Sequence, residues 1–422
     1  MVQNTRVLYL LSFLLMLTIG CEDTNDDDDH DHDHNETIEQ PTSYTFPSRF
    51  VEGESSVSYT GQVVRNMLHT DLKASTDRAA VATYMTADAL MDFFDGDATS
   101  NSSYISTTPA ACELVYDNIS TGKNLSGKTN TDAIKGFGQA TAVTAVESWI
   151  NSIGNYYTTN GVTEATKLAY TNEDGHNMSQ MINKVLYGAV GSYNAIGVYL
   201  LKFEDASTFP ANDVASSDGG KYSAAEHYWD EAFGYFGAHR DFLGDQAQGT
   251  ACVDLTSEYN FGWAEYARKR DENPGYSFDF RTDIFTAFVA GRTIIHNGGG
   301  QAELAEHIDM IKTRWEQLTA ANVVHYINEL VGTDGKMSAL TVDHTPTDDT
   351  DASNDYNKYW SEMRGFVVSL QYIPHKLPDA DLDTVVEHLG AKPLYPAHDG
   401  YDTYEANLIT ARDLLISKLS LN

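Results

Sequence analysis

The sequence carries one nine-residue pattern twice. Residues 228–236 read YWDEAFGYF and residues 359–367 read YWSEMRGFV, so both copies contain Tyr-Trp-x-Glu-x-x-Gly-aromatic. On a helix, positions three and seven further along share a face with the starting residue. From Glu231 these are Gly234 and Ala238; from Glu362 they are Gly365 and Ser369. Small residues in such a row let a second helix come close, so each glutamate is expected to point into an interhelix seam. Trp229 with Phe233 and Phe236, and Trp360 with Met363 and Val367, occupy the opposite faces. The pattern predicts helices buried on several sides and a duplicated bundle, with Glu231 and Glu362 facing each other across a pseudo-twofold axis.

The remaining periodicity is also helical. Met178 to Phe203 places Ile182, Val185, Leu186, Val190, Tyr193, Ile196 and Leu200 at spacings of three and four, which predicts one long helix. Ser223-Ala-Ala-Glu226 is a capping box and predicts a helix running to about Phe242. Further helices are expected over 308–331 and 356–372, and in a last segment from Asp402 or Thr403 through Leu408, Leu415 and Leu419. Others are expected near 61–72, 79–94, 131–156, 258–270 and 283–296, with breakers at 210–220, 271–275, 298–300, 345–354 and 392–400. Alternating strands are scarce. The fold class is all-α, a duplicated helical bundle of roughly ten or more helices, forming one compact module over 44–422.

A buried glutamate needs a base, a hydrogen-bond donor or a metal. Two roles are open for Glu231 and Glu362. In one they accept bonds from a Tyr, a Trp or an arginine such as Arg292 or Arg281; in the other they form a carboxylate metal site inside the bundle. His227 lies four residues before Glu231, on the same face, and could share a metal with it, although the second copy has Lys358 at that place. His325 and Glu329 repeat the spacing as a single weak pair, and the acidic loop 343–355 lacks the spacing of a calcium hand. Ser223 and Glu226 read as the helix cap. No zinc-protease helix, nucleophile elbow, P-loop or dinucleotide fingerprint occurs.

The N-terminus predicts location. Arg6 precedes an apolar run from Val7 to Ile19, about the length of a signal-peptide core and short for a bilayer span. Leu17, Gly20 and Cys21 resemble a bacterial lipobox, with Thr18 where such boxes prefer leucine. Residues 1–20 are therefore expected to be a lipoprotein signal and Cys21 the lipid-bearing residue; an ordinary cleaved signal is the alternative. The stretch CEDTNDDDDHDHDHNET that follows holds nine acids and no base, so 21–43 is expected to be an extended, disordered tether. Its His30, His32 and His34 could gather zinc, copper or nickel loosely. The chain's net charge of −34 argues against nucleic acid and anionic lipid as partners. Cys112 and Cys252 could pair in an exported protein, which their spacing does not decide.

The segments SYTFPSRF, YTGQVVRNML, INKVLYGAVGSYNAIGVYL, HYWDEAFGYFGA, SEYNFGWAEYARKRD and YWSEMRGFVVSLQYIP resemble a bacterial lipoprotein family catalogued as domain of unknown function 4856. The resemblance implies a single all-helical module of Gram-negative bacteria. More distantly the family is similar to imelysins, duplicated helical-bundle envelope proteins linked to iron uptake that carry Gly-x-His-x-x-Glu. None of the 14 histidines here is followed by Glu at the third position; His227-Tyr-Trp-Asp230 comes nearest. The expectation is an outer-membrane lipoprotein, at the cell surface or facing the periplasm, that binds a metal (iron, zinc or copper) or a metal-carrying ligand. A metal or haem uptake receptor would be its partner. A metallopeptidase-like hydrolase and a non-catalytic glycan or adhesion protein using surface Tyr and Trp are the alternatives.

Overall fold

The computed structural model describes residues 37–81, 84–96, 122–161, 163–217, 220–244, 260–272 and 275–421. Cys21, His30, His32, His34, Cys112 and Cys252 lie outside them. Among the described residues there are eleven α-helices and no strand, only isolated bridges such as Pro47 with Ser55. No helix there is long and apolar enough to cross a membrane.

The helices are α1 Thr60–Asp77, α2 Ala87–Asp95, α3 Ala142–Asn160, α4 Met178–Leu186, α5 Ala224–Phe236 and α6 Gly262–Asp271. They continue with α7 Phe280–His296, α8 Gln301–Leu330, α9 Asp351–Leu370, α10 Asp379–Leu389 and α11 Tyr401–Leu419. The long α8 packs along α7 and α9, α9 lies against α4, and α10 pairs with α11. One continuous apolar core results, with Trp229, Trp263, Trp315 and Trp360 fully buried. Each repeat tryptophan also satisfies its indole N–H, Trp229 on the Phe288 carbonyl at 2.9 Å and Trp360 on the Tyr404 hydroxyl at 2.6 Å.

The expected helix over 178–203 is one continuous helical run whose pitch changes twice. After α4 it widens into a π-helix, Tyr187–Tyr199, and closes in a 3₁₀ turn, Leu200–Phe203. Long π stretches are rare because they weaken the ordinary ladder. Here outside donors take helix carbonyls: the Trp263 indole bonds the Tyr187 carbonyl at 2.9 Å, and the Asn130 N–H bonds the Ala189 carbonyl at 2.9 Å. The helix from Ser223 stops at Gly237, short of Phe242. Gly237 is left-handed (φ +84), and a Cβ there would stand 2.5 Å from the Phe261 carbonyl oxygen. The helix expected near 79–94 is a short 3₁₀ turn, Arg78–Ala80, followed by α2. In place of a helix from 131, an irregular segment leads into α3, whose Thr141 side chain caps Thr144. Helix α10 was not anticipated.

The small-residue seams are present in both copies. A Cβ on Gly234 would stand 2.8 Å from the Cβ atoms of Gln62 on α1 and of Tyr59 just before it, and one on Gly365 would stand 2.5 Å from Cβ of Lys184 on α4. From the other side, a Cβ on Gly188 would stand 2.4 Å from Cα of Ser369. That neighbour is backbone and cannot swing away, so the helices themselves must separate. Gly188→Ala is expected to cost about 1–3 kcal/mol in denaturant unfolding. Gly197→Ala, whose Cβ would meet two Tyr193 ring carbons at 3.4 and 3.7 Å, is the tolerated control.

Candidate functional site

Besides the two repeat glutamates there is a third buried acid system, and the three differ in how their charge is answered. The first begins at the α5 cap. Ser223 Oγ accepts the Glu226 N–H at 3.1 Å, and Glu226 Oε2 accepts the Ser223 N–H at 2.8 Å. The other oxygen of Glu226 takes Arg292 Nη1 at 3.0 Å and Arg49 Nε at 3.3 Å. One turn on, Asp230 Oδ1 accepts Arg292 Nε at 2.9 Å and the Tyr44 hydroxyl at 2.8 Å, while Oδ2 accepts the Ser58 N–H at 2.9 Å. Arg292 Nη2 donates to Ser56 Oγ at 2.7 Å, and its guanidinium lies over the Phe46 ring.

All three charged side chains, Glu226, Asp230 and Arg292, are wholly buried. Burial alone would raise the Glu226 carboxyl, but Arg292, His296 and Arg49 hold it well below the usual carboxylate range. For Asp230 burial outweighs Arg292 and its donors, and its pKa is raised. This knot ties the irregular segment 44–58 to α5 and α7. Arg292, expected as a partner for a repeat glutamate, serves Glu226 and Asp230 instead. Arg281 donates to the Phe242 carbonyl at 3.0 Å.

In the second copy Glu362 faces α4. Lys184 Nζ stands 3.4 Å from Glu362 Oε1 and donates to the Tyr266 hydroxyl at 2.6 Å. The rings of Tyr266, Phe366 and Tyr187 surround the ammonium at 5.2, 5.5 and 5.9 Å. Desolvation would depress Lys184, yet Glu362, Tyr326 and Tyr187 raise its pKa. It stays charged inside the core.

In the first copy the equivalent helix contact supplies Gln62, a neutral group. Gln62 Nε2 donates to Glu231 Oε1 at 2.8 Å. Among the described residues no Lys or Arg forms an ion pair with Glu231, and its side chain keeps 16% of its exposure. Glu231 Oε2 lies 4.0 Å from His227 Nε2. His227 Nδ1 lies 3.1 Å from the Ser58 carbonyl oxygen, an acceptor only, so Nδ1 carries a proton and the neutral tautomer has its lone pair on Nε2. Tyr222 stacks on the His227 ring at 4.7 Å. Tyr199, beside Glu231, has its pKa raised by burial and then by that carboxylate. Lys128 and Lys202 lie over the rings of Tyr199 and Tyr228 at 6.0 and 4.8 Å.

The structure thus brings His227 and Glu231 together and gives Glu362 a separate partner set. Among the described residues no three His, Cys, Asp or Glu side chains converge on a metal-sized point. The neighbouring positions of the two copies also match in use: Asp230 and Ser361 each accept a backbone N–H from the start of the facing helix, of Ser58 and of Asn177. Asp230 itself was missed from the sequence, although Glu226 and Asp230 are four apart and share a face.

Two surface clefts lie apart from these groups. One of about 510 Å³ is bordered by Pro41, Leu243 and Phe285. The other, about 230 Å³, is bordered by Glu204, Ile308, Asp309, Lys312 and His375. There His375 Nε2 approaches both Thr313 Oγ1 at 3.0 Å and Asp309 Oδ1 at 3.1 Å. A catalytic relay needs the acid on one ring nitrogen and the hydroxyl on the other, so this trio is not arranged as one.

The architecture and the site define an all-helical module built on two copies of a Glu-bearing, Gly-seamed helix, one neutralised internally and one not. The chain belongs to the family described as domain of unknown function DUF4856, whose model matches residues 41–384. That span covers the buried Arg292 knot and both repeats and ends within α10. No curated protein and no solved structure matches the chain.

Proposed function

We propose that the protein is a lipid-anchored binding protein of the bacterial cell envelope that captures a metal-carrying ligand, with Cys21 as the anchor and His227 and Glu231 as the contact point. The lipobox-like Leu17 to Cys21, the acidic histidine-bearing tether and the distant imelysin resemblance support the setting. The observation that carries the site is the contrast between copies: Glu362 is matched to Lys184, whereas Glu231 meets neutral Gln62 beside an imidazole whose Nε2 lies 4.0 Å from it. Metal-binding histidines typically donate their second N–H to a carbonyl, as His227 does to Ser58. Donors about 2.0–2.1 Å from a tetrahedral ion stand roughly 3.4 Å apart, so the 4.0 Å separation closes with a small side-chain rotation. Two protein donors hold a bare ion weakly. A ligand that brings a partly coordinated metal needs only one or two, and the surrounding tyrosines offer it ring faces.

The test uses the full-length chain with His30, His32 and His34 replaced by alanine, which removes the tether's own affinity. Binding of Zn²⁺, Cu²⁺ and a ferric chelate is followed by calorimetry. One site is expected to persist and to weaken about 10–100-fold or more in His227→Ala and Glu231→Gln. Absence of binding in the tether variant, or binding unmoved by both substitutions, removes the proposal. Palmitate labelling that survives Cys21→Ser would remove the anchor.

A further inference from the structure

The second repeat holds a cation that the core does not answer. Arg364 stands where the first copy has Phe233, and both side chains are fully buried. Phe233 suits that place, stacking on Tyr44 at 3.8 Å. Arg364 brings a charge and five N–H donors into it. Nη2 donates to the Lys135 carbonyl at 2.6 Å, while Nε and Nη1 have no hydrogen-bond partner. Its guanidinium carbon lies 4.7 Å over the Phe137 ring. Among the described residues no carboxylate comes within ion-pair distance of it. Asp379 and Asp383 are nearby in sequence to Val386, which lines the site, but both are engaged by Lys135 Nζ, at 2.9 and 2.6 Å.

The contrast with Arg292 decides what is missing. Arg292 is equally buried and has two carboxylates and a hydroxyl on its three nitrogens. A buried ion left without its counter-charge is destabilising by several kcal/mol. Desolvation brings Arg364 down to about 10, which still leaves it protonated at neutral pH. Water on Nε and Nη1 would satisfy their N–H bonds but not the charge. Neither idle nitrogen has accessible surface, so a ligand reaches them only as the roof lifts. Gly136 (φ +80) arches directly over the guanidinium, and a Cβ there would stand 2.1 Å from Nη2 and 2.8 Å from Val386 Cγ1. Gly136 itself is exposed, so the cation lies one backbone layer beneath the surface.

We infer that Arg364, roofed by Gly136 and Phe137, is the binding site of a small monovalent anion of halide size, held on one of its two idle nitrogens, Nε or Nη1. The segment 133–140 is the route in. It is pinned from α9 by Gln371, whose amide oxygen accepts the Lys135 N–H at 2.9 Å and whose amide nitrogen donates to the Ala133 carbonyl at 3.2 Å. It is pinned from α10 by Asp379 and Asp383. The anion would complete the charge balance of the second repeat, and its site is independent of His227 and Glu231.

The experiment compares the full-length chain in chloride and in gluconate at matched ionic strength. Chloride is expected to raise Tm by roughly 2–4 °C, saturably, and Arg364→Met is expected to lose that dependence. Bromide soaked into wild-type crystals is expected to give an anomalous peak in contact with Nε or Nη1, a readout that stands even where the Met variant does not fold. Equal Tm in both salts, or a bromide-free site holding only water, overturns the inference.

Discussion

Arg292→Met is expected to destabilise the protein by about 3–5 kcal/mol, the range for removing one partner of a buried ion cluster. The side chain is wholly inaccessible and, among the described residues, is the sole direct cation on Asp230. Methionine fills similar volume, so the loss reports charge more than cavity. Glu226 keeps Arg49 and the Ser223 N–H, but Asp230 is left with only Tyr44 and the Ser58 N–H. Adding Glu226→Gln and Asp230→Asn should recover much of the loss, because the triple variant buries no unpaired charge. Denaturant unfolding of the two variants measures this, and a loss under about 1 kcal/mol for Arg292→Met would show that the knot does not hold the 44–58 segment.

The same knot has a pH signature. Glu226 is depressed below its ordinary 4.5, so its contribution is complete above that value and drains as pH falls through the lower, folded one. Asp230 is raised above its ordinary 3.8, so its contribution runs the other way and is lost as pH rises from 3.8 through the folded value. Glu226→Gln should therefore flatten the acid limb of stability against pH, and Asp230→Asn should steepen it.

Much of the architecture was readable because its causes are local. The capping box at Ser223 needs only two side chains three positions apart, and both of its bonds form. The stripes from Glu231 and Glu362 follow from helical spacing, and both glycines do meet a facing helix. What escaped depends on distant residues. The π-helix rests on carbonyl partners from Asn130 and Trp263, which no window around residues 187–199 contains. Arg292 chose Glu226 and Asp230 because the 44–58 segment brings Tyr44, Ser56 and Ser58 to the same place. The unequal fates of Glu231 and Glu362 turn on Gln62 and Lys184, two residues outside the repeat. Helix α10 is a different case: Leu382, Val385 and Leu389 carry the spacing of a buried helical face, and it was legible but overlooked.

The unequal fates yield the second large effect. Lys184→Met should cost about 3–5 kcal/mol, since it leaves Glu362 buried at 8% exposure without its base. Glu362→Gln should cost a similar amount for the opposite reason, stranding an ammonium among three aromatic rings. The double variant should fall well short of the sum, with a coupling of roughly 2 kcal/mol or more, because neither charge then remains. Glu231→Gln, at the matching position of the first copy, should cost under about 1 kcal/mol. Its amide oxygen can still accept from Gln62, and no ion pair is broken. The four unfolding curves test the division of labour between the copies. If Glu231→Gln destabilises as strongly as Glu362→Gln, the first glutamate is a structural strut like the second, and the half-open His227–Glu231 pair loses its claim to a ligand. If it is nearly silent in stability while ligand binding falls, one member of a duplicated pair has been freed from packing duty to meet something outside the chain.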